Sequence, residues 1–113
     1  MQVIDPDIVL DRQQLREVTL DDEELMREIL SALIDDTSRQ IQLLDQAIRE
    51  RNPQVCARLA HYSKGACANV GANRAAALLK QIERNAAEQR FAECGESLGM
   101  LAREIDLLRH EAE

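Results

Sequence analysis

The sequence predicts an all-α protein, an antiparallel up-and-down four-helix bundle preceded by a short N-terminal extension that carries one short helix. Three observations lead there. Punctuation is sparse, with two prolines and four glycines in 113 residues, so helices run long. Aromatic residues are limited to Tyr62 and Phe91, and leucine, isoleucine and alanine are left to do the packing, a composition that favours helix over sheet. Apolar residues also recur at steps of three and four in segments joined by a few residues, which sets consecutive helices side by side.

Taken in order, "VIDPDIVL" reads as an extended start, followed by a short helix from about Asp11 to Val18. The next segment, "LDDEELMREILSALIDDTSRQIQLLDQAIRERN", is the strongest helix in the chain. Asp21 is placed to cap it, with Glu24 completing a capping box and Leu20 and Leu25 forming a hydrophobic staple. Met26, Leu30, Leu33, Ile34, Thr37, Ile41, Leu44 and Ile48 make a single stripe along it. Asn52 and Pro53 end this helix and begin the next as N-cap and first helical residue. That helix extends to about Val70, where Gly71 offers a left-handed cap. Asn73 is expected to cap a third bundle helix carrying Leu78, Leu79, Ile82 and Ala86, and a polar joint around "RNAAEQ" leads to the fourth. The fourth shows Phe91, Cys94, Leu98, Leu101, Ile105 and Leu108 on one face, and Gly95 and Gly99, four residues apart, open it to the approach of a neighbouring backbone. The domain reading is a segment over 1–20 with the short helix and a bundle over 21–113, a single domain overall.

Composition narrows the function classes. Fourteen basic against twenty-one acidic residues give a net charge of −7, which repels phosphate backbones and argues against a nucleic-acid partner. There is no apolar run long enough to span a bilayer, and the N-terminal "MQVIDPDIVL" has neither a basic stretch nor an apolar core of the signal-peptide kind. A cytoplasmic monomer with no membrane partner is the expectation. Cys56, Cys67 and Cys94 form no close pair and fall on apolar faces, so they are read as small hydrophobes rather than as metal or redox groups.

The chemistry concentrates in "LAHYSKGACANVGA", Leu59 to Ala72. On a wheel of about 100° per residue, Val55, Cys56, Leu59, Ser63, Ala66, Cys67 and Val70 gather on the core side, and His61 points nearly opposite. Its neighbours on the outer face are Gln54, Ala57, Arg58, Lys64, Gly65 and Ala68. Ala57, Gly65 and Ala68 flatten the surface around the imidazole, although a glycine inside a helix costs about 1 kcal/mol relative to alanine. Access of another protein to the ring is one reason for such a glycine; close packing on a neighbouring element is the other. Lys64, one turn along, places a positive charge beside the ring, which disfavours the imidazolium and helps to keep the ring neutral. His110, in "LRHEAE", sits among charges near the C-terminus and complements the last helical turn.

These residues resemble the signature of histidine-containing phosphotransfer (HPt) domains. The likeness runs through His61, Lys64, Gly65, the small pair Ala66 and Cys67, and the closing Gly71 and Ala72. It extends to "LLKQIERNA", similar to the family's third helix, and to "TLDDEELMREILSALIDDT", similar to its long first bundle helix. Two positions depart from the pattern. Ser63 stands where a large apolar residue is usual, and Tyr62 where a small or polar one is.

The resemblance implies a phosphorelay intermediate, a phosphoryl carrier with no ATP-dependent kinase activity of its own. His61 would accept a phosphoryl group at Nε2 from a receiver-domain aspartate and pass it to another receiver. The receiver of a response regulator or hybrid sensor kinase would dock over Ala57, Arg58, Gly65 and Ala68. Lys64 would offset charge on the phosphorylated ring. Mg²⁺ is expected on the receiver, with no cofactor on this chain. The chain has no glycine-rich nucleotide loop, so it is not read as a kinase. The alternative is a helical adaptor that keeps the HPt fold without phosphotransfer.

Overall fold

The computed structural model describes residues 7–112, which form five helices and, among those residues, no strand. The helices are α1 (Arg12–Val18), α2 (Glu23–Arg49), α3 (Pro53–Asn69), α4 (Asn73–Ala87) and α5 (Phe91–Ala112). The all-α class expected from composition is therefore observed. The extended start falls partly on residues 1–6, outside the described residues, and 7–10 hold no helix or strand.

The four long helices close a ring of contacts, α2 on α3 and α5, and α4 on α3 and α5. Side chains along the expected stripes fill it. Leu44, Leu79, Ile82, Leu101, Ile105 and Leu108 are wholly buried, as are Cys56, Cys67 and Cys94. The short α1 lies outside the ring and contacts α2 and α3. Asp11 caps it by accepting from Gln14 N at 3.1 Å, and the Arg12 guanidinium meets Glu111 Oε2 at 2.6 Å near the end of α5.

Several helix ends differ from expectation. Asp22, not Asp21, caps α2, accepting from Leu25 N at 3.1 Å. Leu20 and Asp21 both take left-handed conformations, φ 54° and 61°, to turn the chain out of α1. Asp21 thus lacks the extended backbone that an N-cap needs, and Asp22 has it. The shift dissolves the staple: Leu20 and Leu25 are both exposed.

Asn52 and Pro53 open α3 as expected, Asn52 Oδ1 accepting from Val55 N at 3.2 Å. Gly71 follows α3 with φ +92°. Its place is fixed twice over, because a Cβ there would stand 2.5 Å from the Asp11 carbonyl oxygen, and that close approach is where Asp11 N donates to Gly71 O at 2.9 Å.

Asn73 is not a cap. Ala72 holds that position without a side-chain bond, and the Asn73 amide instead donates to Gln14 Oε1 at 3.3 Å, drawn off by α1. The polar joint is also shorter than "RNAAEQ" suggested. Ala86 is wholly buried and anchors the last turn of α4, leaving Glu88 to Arg90 as the connection, with Gln89 at φ 58°.

Candidate functional site

The core side of α3 is turned toward α4 relative to the sequence wheel. Ala60 is wholly buried with Cys56, Ser63 and Cys67, while Val55, Leu59 and Ala66 are only partly buried. Small side chains explain the rotation. Ala60 on α3 and Ala75 and Ala76 on α4 are all buried and add little bulk between the two helices, which make the most extensive helix contact in the fold.

His61 remains on the outer face, its side chain 68 % exposed. The rotation brings its α4-facing edge within reach of a residue that helical periodicity alone did not identify. Glu83 Oε2 lies 3.0 Å from His61 Nδ1, and Glu83 Oε1 accepts from Lys64 Nζ at 2.8 Å. One carboxylate therefore joins the histidine and the lysine. The lysine hydrogen bond, foremost, holds the Glu83 carboxyl below its usual range; partial burial opposes this, and the Lys64 charge and His61 add to it. An ionised carboxylate only accepts hydrogen bonds, so Nδ1 of the neutral ring carries the proton and Nε2 keeps the lone pair. No described residue bonds Nε2.

Lys64 is partly buried and faces the carboxylate rather than solvent. Its charge therefore does not act on the ring alone, as the sequence suggested, but together with the opposite charge of Glu83. A folding-back rule gives the signal that could have found Glu83. Two helices that reverse across the Gly71 turn bring residues equidistant from about Ala72 side by side, which pairs His61 with Glu83.

Gly65 is not a packing glycine among the described residues. A Cβ built there meets nothing within 4 Å, so no neighbouring element needs the space. Ala57 and Ala68 lean partly onto the core, Arg58 is exposed, and the four positions border His61 as a low, mainly small-residue surface. α1 braces its far end, where Gln14 Nε2 donates to the Ala68 carbonyl.

The two departures from the pattern face opposite ways. Tyr62 is 56 % exposed beside the histidine. Ser63 is buried, and its hydroxyl has no hydrogen-bond partner. The cysteines are free and buried, and burial pushes the thiols of Cys67 and Cys94 up to about 11. Both are therefore protonated near neutral pH and behave as packing groups. Among the described residues no helix is long and apolar enough to cross a membrane.

Comparison with known proteins places the chain in a family. Two solved structures share the fold. HptB, a histidine-containing phosphotransfer protein from Pseudomonas aeruginosa PAO1, is 22 % identical with a TM-score of 0.86, covering 94 % of this chain and 92 % of its own. A rice protein named as a candidate histidine-containing phosphotransfer protein is 18 % identical with a TM-score of 0.82, covering 92 % of this chain and 76 % of its own. At such identities the likeness speaks for the fold alone. No curated protein matches the chain. The Hpt domain family matches residues 28–111, a span that includes His61, Lys64, Gly65 and Glu83, and the chain belongs to that family.

Proposed function

We propose that this Hpt domain carries a phosphoryl group on His61 Nε2 as an intermediate of a two-component phosphorelay. The observation that carries the reading is the contact of Glu83 with Nδ1, which leaves Nε2 as the unprotonated nitrogen on an exposed ring. The four long helices act as an antiparallel up-and-down bundle, a reading supported by their short connections and closed ring of contacts.

In the proposed step the Nε2 lone pair attacks the phosphorus of a receiver's aspartyl phosphate. The N–P bond forms as the P–O bond to aspartate breaks, and the aspartate leaves as its carboxylate. Positive charge develops on the ring as its lone pair is given up. The proton stays at Nδ1, where the Glu83 carboxylate accepts its hydrogen bond and stabilises that charge. Lys64 holds Glu83 in place and lies where it offsets the negative phosphoryl group. Attack by a receiver aspartate on the phosphohistidine reverses these changes.

The receiver docks over Ala57, Arg58, Gly65 and Ala68 and supplies Mg²⁺; this chain contributes the nucleophile and its orientation. The test is transfer from a receiver charged with acetyl phosphate. Acid-labile, base-stable labelling of the wild type, absent in His61→Gln, is the expected result. A wild type that binds the receiver but takes no label would instead identify an adaptor.

A further inference from the structure

The outer face of α5 is left uncovered by the described residues. α5 packs on α2 and α4, and its backbone does not come close to that of α3. Its core side holds Cys94, Leu98, Leu101, Ile105 and Leu108. At about 100° per residue the opposite side carries Ala92, Glu96, Gly99, Met100, Arg103 and Leu107. Met100 and Leu107 are 49 % and 43 % exposed. The backbone approach that Gly95 and Gly99 allow is not used within the chain: a Cβ at Gly95 meets nothing within 4 Å, and one at Gly99 meets only Arg103 Nη1, at 3.9 Å.

Next to this stripe a groove of about 450 Å³ runs between α4 and α5, with Leu78, Met100 and Leu107 among its lining. Glu104 also lines it, only 4 % exposed. Its Oε1 meets Arg74 Nη2 at 2.8 Å, and its Oε2 has no donor.

The geometry points to a second copy of this chain as the occupant, paired antiparallel through α5 about a two-fold axis between Gly99 and Met100. The stripe is complementary to its own reverse. About that axis Glu96 lies opposite the partner's Arg103, and Arg103 opposite the partner's Glu96. At the same level along the pair, Ala92 lies near the partner's Leu107. Neither Glu96 nor Arg103 has an ion-pair partner among the described residues.

Seven residues separate them, about 10 Å along the helix, so both fit one interface and each pair forms twice by symmetry. Opposed charges matter here because a chain of net charge −7 otherwise repels its own copies. A single helix pairing belongs among small interfaces, below about 1,200 Å², so association depends on concentration. α3 lies across the ring from α5, and both copies of His61 stay exposed in the dimer.

Sedimentation velocity on the full chain, from about 10 µM to 1 mM protein, tests this, with circular dichroism confirming that each variant is folded. The wild type is expected to dimerise toward the upper end of the range. Arg103→Glu and Glu96→Arg place like charges opposite each other, and each alone should weaken the dimer at least tenfold. An equimolar mixture of the two single variants restores both attractive pairs, so it should dimerise, as should the double variant E96R/R103E. A monomeric wild type at 1 mM overturns the proposal. So does a dimer indifferent to either charge reversal, or one that neither the mixture nor the double variant restores.

Discussion

Glu83 Oε2 stands 3.0 Å from His61 Nδ1 while Glu83 Oε1 stands 2.8 Å from Lys64 Nζ, so one carboxylate on α4 orients two neighbouring side chains of α3. If this bond sets the ring tautomer, Glu83→Ala should mix the two neutral forms of His61, visible in its ¹⁵N imidazole shifts. Acceptance from a charged receiver should slow by about tenfold, the loss of roughly 1.4 kcal/mol expected of one charge-assisted hydrogen bond on a partly exposed surface. Unchanged nitrogen shifts would show that the contact does not choose the tautomer.

His61→Gln should abolish acceptance and leave the melting temperature almost unchanged. The ring is 68 % exposed, and such substitutions usually fall within about ±0.5 kcal/mol. Thermal denaturation and phosphoryl labelling of the same preparation make the comparison.

Lys64→Ala should still accept phosphate, with a several-fold change in phosphohistidine lifetime or in the transfer equilibrium. The lysine is partly exposed and contributes at most about 1 kcal/mol. Because it also holds Glu83, the ¹⁵N shifts of His61 should move in this variant as well. Measuring both separates the lysine's effect on the phosphoryl group from its effect on the carboxylate.

Gly65 and Gly71 should respond in opposite ways to alanine. Nothing lies within 4 Å of a Cβ at Gly65, so Gly65→Ala should match or raise stability by up to about 1 kcal/mol. At Gly71, φ +92° and the Asp11 oxygen 2.5 Å away make alanine destabilising. A long side chain in Gly65→Gln, about 40° round α3 from His61, should slow transfer from a receiver far more than phosphorylation by acetyl phosphate. Equal slowing by both donors would point away from docking.

Acid should weaken this site through Glu83. Its folded-state carboxyl is lowered, chiefly by the hydrogen bond from Lys64, so its contribution is fully present above the unfolded value of about 4.3. That contribution disappears as pH falls from there through the lower folded value. The stability difference between wild type and Glu83→Gln should therefore shrink on acidification below about pH 4.3. Urea denaturation at a series of pH values reads it directly.

Sequence periodicity determined the helices and the displayed face of α3, because stepwise apolar residues and local signals act within one element. Asn52 and Pro53 could open α3 from their own chemistry, and Gly71 could close it by adopting φ +92°. His61 could be placed on the outside because the rest of its helix defined an inside. Tertiary packing decided the remainder. Asp22 took the cap from Asp21 because the turn out of α1 needed two left-handed residues, and Asn73 lost its cap to a bond with Gln14, 59 residues away in sequence. Ala60 went to the interior and Leu59 toward the edge because α3 rotated onto α4. That same rotation brought Glu83 to His61 and Lys64. A helical wheel carries no information about the helix beside it, and the carboxylate that meets His61 and Lys64 comes from that neighbour.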